Sequence, residues 1–299
     1  MANISLTRRD ALWLFGGGVL LLASCRSARA NTVVIGSKNF TEQVILGELL
    51  AQQVEAHTAL HVDRRLNLGG TFLCHQALLA GQMDLYAEYT GTALTAILGG
   101  KPSGDAAAVY QSVRDGYHDR FGLEVGPPLG FNNTFAIVVR GDDAARLHLR
   151  SISDMVLHAG QWRAGFGYEF MERPDGYRGL AKAYGLHFAS EPRIMDLGLL
   201  YRALEEKQVD VVAGNSTDGL IATLGMVVLE DDRRFFPPYQ AVTIVRGAVL
   251  REHPELRATL DALGGKISEE DMRRMNYAVD GERRDQSVVV RDFRRGHGL

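Results

Sequence analysis

Ala77-Leu78, Gln82-Met83-Asp84-Leu85 and Tyr89-Thr90-Gly91-Thr92 form one series along the chain, and Ala203-Leu204, Gln208-Val209-Asp210-Val211 and Asn215-Ser216-Thr217-Asp218 form a second with the same internal spacing. Each series reads as the end of a helix, a turn, and a short apolar strand that runs into polar residues. A unit used twice decides the architecture before any single motif does. On this register Tyr89 and Asn215 stand at equivalent places.

Working outward, Thr32 to Ile35 reads as a strand and Gly36 to Thr41 as a polar turn. An amphipathic helix then carries Val44, Ile45, Glu48, Leu49 and Gln52, with Thr41 or Asn39 as its cap. Leu60 to Leu66 is a second strand, Thr71 to Leu79 a second helix, and Met83 to Ala87 a third strand. In the second series Trp162 to Gly165 answers the first strand, Leu186-His187-Phe188 answers Leu60-His61-Val62, and Leu197-Gly198 answers Leu68-Gly69. Alternating strands and helices predict an α/β fold with largely parallel sheets, here two pseudo-equivalent β-α-β-α-β lobes. Gly126-Pro127-Pro128 leads through Asn132-Asn133-Thr134 to the strand Phe135 to Val139, and Phe236-Pro237-Pro238-Tyr239 leads to the strand Val242 to Val245. These are the two segments expected to cross between the lobes, with residues 31–133 plus 241–299 as lobe I and 134–240 as lobe II. A double connection restricts relative motion to hinge bending.

The 299 residues are 46% apolar and 23% charged, which excludes disorder and leaves ample material for a core. With 33 basic and 36 acidic residues the net charge of -3 gives no sign of a nucleic-acid partner. Residues 1–30 read as an export signal: Arg8-Arg9, the apolar run Ala11 to Ala23, then small residues. That run is short against the roughly 20 residues a membrane span needs. Thr7 to Leu12 resembles a twin-arginine signal and reads equally as an ordinary charged leader. Leu22-Ala23-Ser24-Cys25 resembles a lipobox ending the signal at residue 24, with Cys25 the lipidation candidate; Ala28-Arg29-Ala30 offers ordinary cleavage before Asn31. The only other cysteine, Cys74, reads as a small packed apolar residue.

In open α/β sheets ligands bind beyond the carboxyl ends of the strands. Lys38, Asn39, Tyr89, Thr92, Glu169, Arg173 and Asn215 stand at those ends, and Asn133, Phe135 and Tyr239 lie on the crossings. Arg, Lys and a Thr hydroxyl can hold a carboxylate, and aromatic faces attract a quaternary ammonium at about 0.5 to 2 kcal/mol per well-placed ring. Taken together they describe a zwitterion site. Taken singly, the charges are ordinary solvated residues and the rings ordinary core.

Ile35 to Gln43, Asn67 to Thr71, Asp84 to Thr92, Asn132 to Phe135 and Ser216 to Gly219 resemble the glycine betaine/carnitine/choline-binding proteins of ABC importers. The resemblance implies a two-lobed type II periplasmic-binding fold, a box of tyrosines around the ammonium, an ABC permease as partner, and a periplasmic or otherwise extracytoplasmic location. It makes Tyr89 and Tyr239 two walls of the box, puts Phe135 where a Tyr is usual, and leaves one wall missing at Asn215. Arg173 becomes the carboxylate anchor, with Lys38 and Thr92 as helpers, and Thr92 points to betaine-like carboxylates over choline. The expected protein is a monomer without cofactor, touching the membrane only through a lipid on Cys25.

An enzyme would need a nucleophile with its base, a metal cluster or an acid-base pair in one site. His57, His61, His75, His118, His148, His158, His187, His253 and His297 are scattered without ligand spacing, and no catalytic motif appears. A sensor domain of the same fold, or a binder of a different small polar solute, remains the rival reading.

Overall fold

A computed structural model of the protein describes residues 31–299. The export-signal reading and Cys25 lie outside the described residues. The first sheet contains β1 (Thr32–Lys38), β2 (His61–Gly69), β3 (Leu85–Tyr89), β4 (Leu123–Val125) and β10 (Ala241–Arg246), in the order β2-β1-β3-β10-β4. The second contains β5 (Phe135–Arg140), β6 (Ala164–Phe166), β7 (Arg193–Ile194), β8 (Val211–Asn215) and β9 (Met226–Leu229), in the order β7-β6-β8-β5-β9. In each sheet the strand that arrives from a crossing, β10 or β5, runs antiparallel to both neighbours, and the other strands point one way. The two-lobed α/β fold is thus two mixed sheets of matching plan. Tyr89 ends β3 and Asn215 ends β8, each paired across to the incoming strand, Tyr89 to Ala241 and Asn215 to Phe135.

The crossing segments run side by side. Asn132 bridges Gln240, the Asn133 N–H donates to the Tyr239 carbonyl at 3.0 Å, and the Tyr239 N–H donates to Asn132 Oδ1 at 2.6 Å. Helix α1 (Thr41–His57) is buried around most of its circumference, Glu42, Gln43, Glu48 and Gln53 included, because it is enclosed, with sheet strands on one side and the C-terminal helices on the other. Val33, Ile35, Ile45, Leu49 and Val54 share one core with Leu256, Met272, Val290 and Phe293. Helix α2 (Thr71–Leu79) has the bounds expected from the sequence.

Three local expectations change. Half of the expected turn at 36–41 is strand: β1 continues through Ser37 to Lys38, with an irregular register after Gly36, and so carries Lys38 to the strand's end. Neither Thr41 nor Asn39 caps α1; Phe40 is the N-cap, without a side-chain bond, and the Thr41 hydroxyl donates instead to Asp280 Oδ1 at 2.6 Å. Leu186-His187-Phe188 forms no strand. The chain turns there through Gly185 at φ 68°, Leu186 is buried in the core with Phe188 packed against it, and pairing with β6 is delayed to Arg193–Ile194. Apolar residues at that point satisfy packing without a backbone partner. Cys74 is buried, as its apolar reading requires, and burial pushes its thiol up to about 12.

Candidate functional site

The ends of β1, β3, β5 and β8 face one cavity of about 400 Å³. Lys38 and Asn39 reach it from β1, Tyr89 and Thr92 from the end of β3, and Asn133, Phe135 and Tyr239 from the crossings. Glu169 and Arg173 come from the short helix α3 (Tyr168–Glu172) and the residue after it, and Asn215 from β8. All ten residues expected from the sequence therefore line the same space. Phe40 and Phe170 also line it and were not singled out, although both lie inside stretches that were. Phe40 stacks beside Tyr89 with centroids 6.5 Å apart, and Phe135 meets Tyr239 edge to face at 5.9 Å and Phe170 at 4.8 Å.

Arg173 is buried under a fixed counter-ion. Its Nε and Nη2 donate to Asp175 Oδ1 at 2.9 Å and Oδ2 at 2.5 Å, and the Tyr239 hydroxyl donates to the same Oδ2 at 2.5 Å. Burial works against the Arg173 cation, but the adjacent Asp175 charge outweighs it and holds the guanidinium pKa above its ordinary value. Burial also works against ionised Asp175, and there the guanidinium prevails, keeping the carboxyl below the usual range. Nη1 has only a long ion-pair contact, 3.8 Å to Glu169 Oε2, so the fork keeps an edge for another anion. The guanidinium lies 4.8 Å from the Phe135 centroid and 5.9 Å from that of Tyr239.

Lys38 is committed differently. Its Nζ is 2.5 Å from Glu88 Oε1 and 3.2 Å from Thr71 Oγ1, and it lies 4.8 Å from the Tyr89 centroid. The charge expected to help an anchor is neutralised within the protein. By contrast, the side chains of Asn39 and Thr92 make no hydrogen bond to the described residues, so their donors face the cavity unspent. Glu169 ties the lobes together: its Oε1 accepts from the Thr71 N–H at the start of α2. The approach is close enough that a Cβ on Gly70 would come 2.3 Å from that oxygen, which is why glycine stands there.

A buried carboxylate, Glu42, and a half-buried one, Asp218, stand behind the equivalent strand ends. Glu42, in the first turn of α1, accepts from Tyr89 Oη at 2.6 Å, Asn133 Nδ2 at 2.7 Å, Thr217 Oγ1 at 2.5 Å and Asn276 Nδ2 at 3.1 Å. It thereby joins both lobes and a crossing. Burial raises its pKa against the pull of those four donors. Asp218 accepts from Tyr201 Oη at 2.5 Å and the Asn215 N–H at 2.9 Å, and burial pushes it up to about 6. Glu42, Glu88 and Asp175 escaped sequence reasoning, although Glu42 and Glu88 lie within the quoted motifs and Asp175 two residues beyond Arg173. Among the described residues no cluster could hold a metal ion.

Residues 31–296 match the family described as the substrate binding domain of ABC-type glycine betaine transport systems, OpuAC. The chain belongs to the OpuAC family. Its members are extracytoplasmic binding proteins of transporters rather than enzymes, and this one is a substrate-binding protein for a quaternary ammonium compound of an ABC importer. The OpuAC-family chain is 38% identical over 281 residues to the carnitine transport binding protein OpuCC of Listeria monocytogenes, covering 92% of this chain and 91% of that one. It is 34% identical over 289 residues to the ergothioneine transport permease/ergothioneine binding protein EgtU of Helicobacter pylori, covering 96% of this chain and 52% of the relative. The crystal structure of a glycine betaine/carnitine/choline ABC transporter superposes with a TM-score of 0.73 at 35% identity, covering 89% of this chain and 98% of that one.

Proposed function

We propose that this protein takes a betaine-like zwitterion into the cavity, its quaternary ammonium against the faces of Tyr89, Phe135 and Tyr239 and its carboxylate on Arg173 Nη1 and the Thr92 hydroxyl. The observation that carries the reading is the distribution of unspent donors. Arg173 is aligned by Asp175 along one edge and open along the other, and beside it stand ring faces that can receive a desolvated cation. Lys38, held by Glu88, acts through Tyr89, whose face it approaches, rather than as a second anchor. Asn39 and Asn133 edge the site with amides, and Glu169 fastens the lobes over it through Thr71. A carnitine-binding relative at 38% identity supports a ligand of this class, and an ergothioneine-binding one supports a betaine larger than glycine betaine.

In this reading residues 31–133 with 241–299 close on residues 134–240 about the paired crossings, and the closed monomer delivers the solute to its permease. A lipid on Cys25 tethers it outside the cytoplasmic membrane. Asn215 supplies no ring face, so a compact betaine loses about 1 to 2 kcal/mol, or roughly ten- to thirty-fold in affinity, against a site with a ring there. Calorimetric titration with glycine betaine tests this: micromolar binding is expected, nanomolar binding refutes the weakened box, and no binding by any betaine refutes the zwitterion site.

A further inference from the structure

The two halves of the molecule also meet away from the crossings and the Glu169 contact. Helix α4 (Glu269–Asp280) belongs to the first half, where Met272, Met275 and Ala278 are buried in one core with Val33 and Ile45. It holds the turn that follows β8 in the second half. Asn276 Nδ2 donates to the Thr217 carbonyl at 2.9 Å and to Glu42 Oε2 at 3.1 Å, and the Thr217 hydroxyl donates to the same Oε2 at 2.5 Å. Glu42, Thr217 and Asn276 are each 1% exposed, so these bonds are sealed from competing water. Asn276 spends its N–H donors here while its buried Oδ1 has no partner among the described residues, so the amide is placed by what its nitrogen holds. Two residues on, Gly219 lies against the α4 backbone: a Cβ there would come 2.6 Å from Tyr277 N and 2.7 Å from Tyr277 Cα. Gly219 has φ -66° and ψ -24°, which any residue adopts, so glycine is required by the approach of α4 and not by its own turn.

We infer that α4 is a latch between the lobes: it grips the turn behind Asn215 and keeps the solute-free protein closed, so that Asn276, Thr217 and Gly219 set solute affinity without touching the solute. None of the three lines the cavity. Opening the lobes at this place breaks two buried hydrogen bonds, Asn276 to the Thr217 carbonyl and Thr217 to Glu42. Glu42 also fixes the Tyr89 hydroxyl, so closing the latch and setting the ring wall are one event. Glu169 clasps Thr71 from within the cavity lining, whereas the α4 latch lies behind it. The apparent dissociation constant of a protein that binds only when closed is its intrinsic value divided by the closed fraction, so a latched protein binds more tightly with no added solute contact. The latch acts whatever the solute is, and so goes beyond the zwitterion reading.

The test is small-angle X-ray scattering of the exported chain, freed of its signal and of solute, paired with calorimetric titration with glycine betaine. Solute-free wild type is expected to scatter as the closed structure does and to change little when betaine is added. Gly219→Ala inserts one carbon between the two backbones without straining its own turn. It is expected to expand the solute-free protein and to weaken betaine binding about tenfold, as the closed fraction falls from near one to about one tenth. Thr217→Val keeps the side-chain shape and drops the hydroxyl; it is expected to act in the same direction by about threefold or more, and Thr217→Ser to behave as wild type. Variants that lose stability in urea melts while scattering and affinity stay as in wild type overturn the latch and leave these residues a structural role. An expanded solute-free wild type overturns it as well. Betaine that fails to bind wild type counts against the zwitterion reading alone, because the scattering of the solute-free proteins still decides the latch.

Discussion

The ends of β3 and β8 are the same place in two halves of one plan, and they differ in a single respect. Both finish a five-residue strand, both pair with a strand delivered by a crossing, and both have a carboxyl hydrogen-bonded behind them. At β3 the side chain is a phenol whose ring faces the cavity while its hydroxyl is fixed by Glu42. At β8 it is a carboxamide whose backbone N–H is fixed by Asp218. The scaffold thus sets where a wall can stand, and the residue there sets what kind of wall it is. Equivalent strand ends of a duplicated fold can in this way differ in kind: the end of β3 offers a ring face, and the end of β8 offers a hydrogen-bonding amide.

The comparison breaks most severely at the carboxyl behind the ring. Glu42→Ala strips an acceptor from four donors across both lobes and is expected to destabilise the protein by about 3 to 5 kcal/mol in urea unfolding. Arg173→Lys is next. Lysine keeps the charge but cannot hold Asp175 and a ligand carboxylate on separate edges, so affinity for betaine is expected to fall roughly ten- to a hundredfold while choline, lacking the carboxylate, changes less than about threefold. Titrating both solutes into the variant reads that ratio, and an equal loss for both would mean that Arg173 is only a structural ion pair.

A good part of this arrangement was legible in the sequence, and the rest was hidden for identifiable reasons. The repeat fixed the register that makes Tyr89 and Asn215 equivalent, because strand length and helix-to-strand spacing are set locally by backbone geometry. Polar residues directly after apolar strands marked the cavity lining for the same reason. The charge pairing was not legible: nothing in spacing announces that Lys38 is held by Glu88, fifty residues away, or that Glu42 gathers donors from Asn133, Thr217 and Asn276. These are long-range contacts fixed only when the sheets pack. The missing strand at Leu186–Phe188 failed similarly, since an apolar triplet has the same pattern whether it pairs or merely packs.

Smaller effects sharpen the comparison further. Asp218 has its pKa raised from the ordinary 3.8 to about 6, so its contribution to stability is present in full below the unfolded value and is lost as pH rises through about 6. Wild type is therefore expected to gain on the order of 1 kcal/mol relative to Asp218→Asn when pH is lowered from 7 to 5, as read from paired urea melts. A constant difference across that window would mean that the Asp218 carboxyl is not held away from water behind β8. The smallest change is at Phe135→Tyr, which restores a hydroxyl without altering the ring face; affinity for glycine betaine is expected to move by less than about threefold. A large gain would locate the shortfall at Phe135 instead of Asn215.

The most direct measurement is a crystal structure of the protein grown with glycine betaine. The methylated nitrogen should lie within about 6 Å of the ring centroids of Tyr89, Phe135 and Tyr239, with the carboxylate hydrogen-bonded to Arg173 Nη1 and the Thr92 hydroxyl. A ligand in the opposite orientation, its ammonium turned to Glu169 and its carboxylate away from Arg173, or one lodged outside this cavity, would contradict the division between ring faces and guanidinium.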